Sequence, residues 1–247
     1  MIITVQAISD KGLVRPKNED HILVQDRVFT DDHLRREFPD DRVLVFAVAD
    51  GLGGHPAGDV ASREALLHLQ AFVRGLSENL DAHDVLASFE EWVAAVHDHL
   101  IQMGKEDAGY MGMGTTVCGL LWYDGDMLWF HAGDSRLYHF GNGVLKQVTA
   151  DHSQAALMND PTIPSSIVAN CIGPGKTPYI DTGKIEGLSA DDSLLLCSDG
   201  LSDMLNDTEI QTLMKEPDVN QMAEKAKKNG GLDNLSAITI TFNTSTS

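Results

Sequence analysis

Basic residues are scarce in this 247-residue chain, which has 18 Lys and Arg against 37 Asp and Glu and a formal net charge of −19. A surface that negative repels phosphate backbones and anionic lipid head groups. We therefore expect neither nucleic acid nor a membrane among the partners of the protein. Hydrophobic residues at 43% and charged residues at 22% are close to globular averages, which argues against a disordered chain.

Long apolar runs and cysteines are equally sparse. No apolar stretch approaches the roughly 18 residues of a membrane span, and residues 1–10 lack the basic start of a signal sequence. Three cysteines, Cys118, Cys171 and Cys197, are too few and too scattered for a disulfide framework or a zinc site. These absences predict a cytoplasmic protein with reduced cysteines.

The chain also lacks linker-like tracts and repeats of fixed period, so we expect residues 1–247 to form one domain. Apolar runs of strand length occur at residues 2–8, 21–25, 43–49, 115–123, 127–131, 137–140, 144–148, 193–197 and 235–242. Asp124-Gly125 and Gly141-Asn142-Gly143 are hairpin-turn signals between consecutive runs. The sheets should therefore be largely antiparallel.

Helical patterns fill the space between these runs. Two amphipathic helices are predicted over residues 59–76 and 84–103, and two shorter ones begin at capping-box-like patterns at 206–209 and 218–221. Pairing strands covered by long helices favour an α+β layered sandwich over a doubly wound parallel sheet. The proline-containing stretch from about 150 to 190 is expected to be an irregular surface excursion.

Three aspartates stand at the ends of apolar strands: Asp50, Asp199 and Asp233. Asp50 and Asp199 are each followed by glycine, which lets the backbone turn sharply beside the carboxylate. If such groups converge, two of them about 4 Å apart repel by roughly 4 kcal/mol at an effective dielectric near 20. The pattern therefore predicts a bound cation, and oxygen ligands without nearby Cys or paired His favour magnesium or manganese.

Further candidates lie near other strand boundaries. Glu19, Asp20 and Asp134 are acidic, and Arg15 is a rare basic group beside them. The planar fork of an arginine suits a phosphate dianion. A nucleotide-binding P-loop at residues 173–177 is disfavoured because the pattern needs glycine where Asn170 stands.

Six short motifs, spread over almost the whole chain, resemble in their order those of the bacterial metal-dependent protein phosphatases called PPM or type 2C. They are Ser9-Asp10-Lys11-Gly12 continuing to Arg15 and Asn18-Glu19-Asp20, Ala49-Asp50-Gly51-Leu52-Gly53-Gly54-His55, Gly114-Thr115-Thr116, Gly133-Asp134-Ser135-Arg136, Cys197-Ser198-Asp199-Gly200-Leu201 and Gly231-Leu232-Asp233-Asn234. The resemblance implies a four-layer sandwich of two antiparallel sheets flanked by helices. It also implies a flap-like segment at about 150–190 in a single phosphatase catalytic domain.

The resemblance further implies two or three Mn²⁺ or Mg²⁺ ions and a role for each matching residue. Asp50 would bridge two ions and Gly51 would offer its carbonyl, so that Asp50 counts as catalytic. The remaining metal positions are Asp199 and Asp233 for the first ion, Glu19 through water for the second, and Asp134 with Asp199 for a weaker third.

Arg15 matches the arginine that holds the substrate phosphate in this family and is the second catalytic candidate. The implied reaction is hydrolysis of phosphoserine and phosphothreonine in proteins by a metal-activated water. Implied partners are phosphoproteins, including a bacterial serine/threonine kinase or its targets. A catalytically idle module that binds phosphoproteins is the alternative, and retention of all three strand-end aspartates favours the enzyme.

Three features depart from the family pattern. Leu52 stands where animal members have a histidine that is a candidate leaving-group acid, and His55 lies three residues further on. The flap-like segment is shorter than in typical bacterial relatives. Residues 27–41 form a long polar stretch that we expect to be an insertion.

Overall fold

The computed structural model describes residues 1–40, 43–52, 57–77, 80–160, 162–164 and 166–243. The strands in these residues are β1 (Ile2–Asp10), β2 (Asp20–Val24), β3 (Arg27–Phe29), β4 (His33–Pro39), β5 (Leu44–Asp50), β6 (Val117–Tyr123), β7 (Asp126–Ala132), β8 (Arg136–Gly141), β9 (Val144–Gln147), β10 (Asp181–Lys184), β11 (Ser193–Cys197) and β12 (Leu235–Asn243). The α-helices are α1 (Gly58–Arg74), α2 (Ala82–Glu106), α3 (Gln154–Met158), α4 (Asp199–Ser202), α5 (Asp207–Leu213) and α6 (Val219–Lys228).

The strands form two antiparallel sheets of six. The first sheet has the order β4-β1-β12-β11-β8-β9 and the second has the order β10-β7-β6-β5-β2-β3. In the first sheet, β1 pairs with β12 over nine residues, from Ile2 opposite Asn243 to Asp10 opposite Leu235. The expected α+β sandwich of antiparallel sheets and helices is confirmed.

Strand β5 shows how the layers are held together. Phe46 and Val48 point into the core between the two sheets, whereas Val45 and Ala47 pack toward α1 and α2. Alternate side chains of a strand face opposite sides, so a strand covered on both faces is apolar at nearly every position. A third cluster packs α4, α5 and α6 against the outer face of the first sheet. The hydrophobic core therefore consists of three clusters: one between the two sheets, one between the second sheet and the helices α1 and α2, and one between the first sheet and the helices α4 to α6. The two sheets and the two helix groups make four layers.

Local signals in the sequence fix several element ends. Asp124 and Gly125 have φ of 49° and 82° between the paired residues Tyr123 and Asp126, as the predicted hairpin turn requires. Asn206 caps α5 and forms the expected capping box with Glu209. None of the helices among the described residues combines the length and apolar character needed to cross a bilayer.

The described part of the polar stretch at residues 27–41, which we expect to be an insertion, is not an irregular loop but contains two strands. This stretch supplies β3 at the edge of the second sheet and β4 at the edge of the first. In β4 only Leu34 and Phe38 are buried, and the exposed positions include charged side chains. Charges on an edge strand discourage pairing with other chains. They also interrupt the run of apolar residues by which a strand is predicted from sequence.

Candidate active site

The seven predicted site residues line one cleft of about 430 Å³, at the end of the molecule where strands of both sheets terminate. They are Arg15, Glu19, Asp50, Gly51, Asp134, Asp199 and Asp233. Asp50 ends β5, Asp199 begins α4 directly after β11, and Asp233 precedes β12. The two-sheet architecture thus brings together carboxylates that lie far apart in the sequence, such as Glu19 and Asp233.

The cleft carboxylates are buried and repel one another. Burial raises the pKa of Asp50 well above its ordinary range, and repulsion from Asp20 and Asp199 adds to the effect. Burial, followed by the charge of Asp233, raises the pKa of Asp199 to about 6. Burial and the charge of Asp199 raise the pKa of Asp134 to about 7. Ionising the whole group without a counter-charge is therefore costly.

Asp20 is a functional candidate that lay outside the predicted ligand set. It is fully buried opposite Asp50 in the β2–β5 ladder, and burial raises its pKa to about 7. Ser198 Oγ donates a hydrogen bond of 2.7 Å to its Oδ2 and accepts one of 2.9 Å from the Ser236 amide. Its Oδ1 is shielded from solvent and makes no hydrogen bond to any described residue. The hydrogen bond to Oδ2 thus fixes the Asp20 carboxylate, while Oδ1 has no hydrogen-bond donor among the described residues.

Glycine brings the backbone of this region unusually close. A methyl group at Gly51 would overlap the carbonyl of Gly58 at the start of α1 and lie 2.7 Å from the carbonyl oxygen of Glu19. The Glu19 carbonyl also accepts hydrogen bonds from the Gly51 amide at 3.2 Å and from Ser62 Oγ at 2.6 Å. The cleft wall is therefore built from close backbone contacts between β2, β5 and α1.

Arg15 is the one basic side chain among the described residues that line the cleft. Its Nη2 donates a hydrogen bond of 2.6 Å to Asp233 Oδ2, and its side chain remains 41% exposed. Contact with Asp233, with smaller contributions from Asp199 and Asp50, raises the pKa of its guanidinium. The arginine is therefore placed at the mouth of the cleft, with part of its fork still accessible.

The flap-like segment contributes one side of the cleft. Ser166, Ile167 and Val168 line it, and the Gln154 amide at the start of α3 donates a hydrogen bond of 2.8 Å to the Ile167 carbonyl. His152 accepts a hydrogen bond of 3.2 Å at Nδ1 from the Gly133 amide, next to Asp134. The segment is thus tied to the acidic cleft by backbone and side-chain contacts.

Two positions bear on the leaving-group acid, Leu52 and His55. Leu52, which stands in the histidine position of animal members, lines the cleft and has no titratable group. His55 lies outside the described residues.

Arg136 does not line the main cleft; its Nη2 donates to Asp151 Oδ2 at 2.7 Å and its Nε donates to Asp151 Oδ1 at 2.9 Å.

The donor set fits hard divalent cations. Carboxylate oxygens and a close backbone are the ligands that magnesium and manganese prefer. Asp20 Oδ1 and Asp199 Oδ1 are buried without a hydrogen-bond partner in the described part of the chain, as expected of oxygens arranged for a cation. Positive charge in the cleft would also offset the repulsion that raises the pKa of these carboxylates.

Comparison with known proteins agrees with this arrangement. Residues 21–238 match the family described as Protein phosphatase 2C. The serine/threonine phosphatase stp of Listeria monocytogenes is 30% identical to this chain, over 94% of this chain and 93% of its own. The solved serine/threonine phosphatase PstP/Ppp of Mycobacterium tuberculosis superimposes with a TM-score of 0.78 at 29% identity, covering 99% of this chain and 100% of its own.

A further solved structure, the catalytic domain of the serine threonine protein phosphatase PstP in complex with 2 manganese ions, has a TM-score of 0.74 and 29% identity. The alignment covers 98% of this chain and 99% of that one. The family match spans most of the chain and includes Asp50, Asp134, Asp199 and Asp233. This chain belongs to the protein phosphatase 2C family.

Proposed function

We propose that this protein is a metal-dependent protein phosphatase that hydrolyses phosphoserine and phosphothreonine in other proteins. The observation that carries the proposal is the convergence of buried carboxylates and one arginine in a single open cleft. Family membership and the names of the bacterial relatives support it. An idle phosphoprotein-binding module is less favoured, because binding alone has no need for so many mutually repelling carboxylates.

We assign the cleft to two Mn²⁺ or Mg²⁺ ions, with a third, weaker site at Asp134 and Asp199. Asp50, the Gly51 carbonyl, Asp199, Asp233 and Glu19 would hold the first two ions. The PstP catalytic domain with 2 manganese ions supports this number and type of ion. When bound, such ions supply the charge and Lewis acidity that allow water to attack phosphorus near neutral pH.

The side chains of the protein provide the remaining functions. Arg15 would bind two phosphate oxygens through its planar fork, exchanging part of its contact with Asp233 for the substrate. Asp20 would stay in place through its hydrogen bond from Ser198 and keep Asp50 oriented across the β2–β5 ladder. Phosphate monoesters hydrolyse very slowly in water, so positioning and charge stabilisation are what the site must supply.

The proposed substrates are phosphoproteins, including a bacterial serine/threonine kinase or the proteins that it phosphorylates. The open cleft and the exposed flap-like segment beside it leave room for a protein chain around the phosphate. We also propose a cytoplasmic location. The three cysteines are free, and two of them, Cys118 and Cys197, are fully buried thiols, as is common in a reducing compartment.

The test is phosphate release from phosphoserine, phosphothreonine and phosphotyrosine peptides by purified protein, with manganese or magnesium and with excess chelator. We expect metal-dependent turnover of the first two classes and none in chelator. The Asp50→Asn variant should lose turnover almost completely, because it removes charge from the ligand proposed to be shared by two ions. Full activity in chelator, or near-normal rates in the variant, would show that the chemistry lies elsewhere.

A further inference from the structure

A group of side chains of types that can ligate metals lies in the helix layer over the second sheet. Glu64 and His68 stand on α1, and His99 faces them from α2. One ligand atom from each of the three side chains lies within 4.8 Å of the others. None of the three is among the described residues that line the acidic cleft.

The helical geometry explains why these side chains meet. Residues four apart on an α-helix project from the same face, which places Glu64 and His68 side by side. The packing of α1 against α2 then brings in His99, whose ring centroid is 4.3 Å from that of His68. The cluster therefore joins two long helices that are separate in sequence.

One nitrogen in the cluster has no ordinary partner. Nε2 of His99 is shielded from solvent and makes no hydrogen bond to the described residues. It lies 3.6 Å from Oε2 of Glu64, which is too long for a hydrogen bond. Two ligand atoms on a tetrahedral zinc ion, bonded at about 2.0–2.1 Å, are separated by roughly 3.3 Å. A small side-chain adjustment would bring the pair to that spacing.

The electrostatics of the cluster also suit a metal. A carboxylate beside two imidazoles supplies one negative charge and two nitrogen donors, which are ligands that Zn²⁺ accepts. Arg63 Nη1 donates to Glu64 Oε1 at 3.0 Å, and the other carboxylate oxygen is the one that faces His99. All three side chains are partly exposed, so an ion can enter from solvent.

We propose that Glu64, His68 and His99 form a second metal site, for a transition-metal ion such as Zn²⁺, that fastens α1 to α2. Two imidazoles and one carboxylate are a common zinc donor set, with a fourth position open to water. Imidazole donors favour zinc, cobalt or nickel over magnesium, so this site differs in chemistry from the oxygen-lined cleft. It is independent of the proposed catalytic function.

The first experiment is a Co²⁺ titration of the full chain, in excess Mg²⁺ to occupy the oxygen-rich cleft. Co²⁺ in a tetrahedral nitrogen-containing site absorbs visible light much more strongly than octahedral Co²⁺. We expect this absorption to saturate at one equivalent in the unmodified protein and to be lost in His68→Gln and His99→Gln. Glu64→Gln should weaken binding about tenfold or more, since even outer-shell partners contribute that much.

The matched control is His83→Gln. His83 is exposed at the start of α2, beside Asp81 and Asp84, and belongs to the other histidine-containing surface group near this helix. This variant should keep the absorption. Absence of the absorption from the unmodified protein, its retention in His99→Gln, or its loss in His83→Gln would each overturn the proposal.

Thermal unfolding provides a second readout that does not depend on cobalt. With Mg²⁺ present throughout, Zn²⁺ at about 100 times its Kd should raise the Tm by roughly 5–10 °C. The same increment is expected for His83→Gln and not for His68→Gln or His99→Gln. Equal increments in all four proteins would place the zinc elsewhere and refute the assignment.

Discussion

At the scale of single residues, Arg15 has one partner in the structure, Asp233, and a second proposed partner, the substrate phosphate. In the structure it binds Asp233, a proposed metal ligand, while part of its side chain remains exposed at the mouth of the cleft. A guanidinium has five donors in a fixed fork, so it can keep one contact with a carboxylate while offering others to a phosphate. The residue is therefore suited to bind substrate rather than to anchor the metals.

Arg15→Ala should raise KM by about tenfold or more and lower kcat much less, because it removes binding shared by the substrate and the transition state. Steady-state kinetics with an aryl phosphate would measure both parameters, and manganese titration would measure metal affinity. Arg15→Lys should be intermediate, since it keeps the charge and loses the fork. An unchanged KM together with weaker metal binding would assign the arginine to the metal ligands instead.

At the scale of elements, the sequence predicts buried strands well and edge strands poorly. Strand β11 is buried at all five positions and was predicted with its observed bounds. Strands β3, β4 and β10 lie at sheet edges and escaped prediction: β3 has only three residues, β4 exposes charged side chains, and β10 has no apolar side chain. An apolar pattern reports burial, and an edge strand forms ladder hydrogen bonds with little burial.

The same limit applies to the candidate site. Asp50, Asp199 and Asp233 could be predicted because a carboxylate beside glycine or at a strand end leaves a local signal. The hydrogen bond from Ser198 to Asp20 joins residues 178 positions apart, and no local pattern encodes it. Pairing register, which places Asp20 opposite Asp50, is a tertiary property that the sequence pattern alone leaves open.

The junction of β5 with α1 should be intolerant of added volume. Gly51→Ala would place a methyl group against the Gly58 and Glu19 carbonyls, and backbone cannot move aside as a side chain can. We expect a loss of at least about 2 kcal/mol in the free energy of unfolding and weaker manganese binding. Urea unfolding of the metal-free protein would measure the first.

Gly75→Ala is the matched control for this substitution. Gly75 has φ of −90° at the end of α1, and the nearest atom to an added methyl group lies at an ordinary 3.4 Å. This variant should stay within about 0.5 kcal/mol of the unmodified protein. Similar unfolding midpoints for both variants would contradict the close backbone contact.

The flap-like segment should affect protein substrates more than the chemistry. Leu157 and Met158 are exposed by 60% and 69% at the end of α3, which is hydrogen-bonded to the cleft-lining Ile167. Replacing both by serine should leave aryl phosphate hydrolysis within several-fold and change the ranking among phosphopeptides. Val144→Ser, at a comparably exposed position in the β8–β9 hairpin, should change neither. An equal loss on both substrate types would mean that α3 shapes the cleft itself.

At the scale of the whole molecule, the acidic cleft couples folding to metal binding and pH. Burial and mutual repulsion raise the pKa of Asp199 to about 6 and the pKa of Asp20 and of Asp134 to about 7. In the metal-free protein these groups hold protons that the unfolded chain releases above about pH 4. Their contribution to stability is therefore present at low pH and is lost as the pH rises from about 4 to 7.

Bound divalent cations should remove this loss by favouring the ionised carboxylates. The increase in Tm caused by magnesium or manganese should thus be small at pH 5 and larger by roughly 5 °C or more at pH 8. The pKa values of the buried His21 and His131 are lowered to about 4, and these residues lie outside the cleft lining, so their effects should largely cancel in the comparison with and without metal. The increase in Tm caused by the metal should be smaller in the Asp50→Asn variant. An increment of equal size at both pH values would contradict the coupling.

The pairing of β1 with β12 also orders events during synthesis. In the first sheet β12 lies between β1 and β11. Strand β1 is synthesised first, but it can pair with β12 only after residues 235–243 have left the ribosome. Asp233, immediately before that strand, is delivered to the cleft at the same moment. Contacts between residues so distant in the chain form slowly. A nascent chain released before that point would lack the central strand that joins β1 to β11 and would lack Asp233, one of the proposed metal ligands, so we expect it to be inactive.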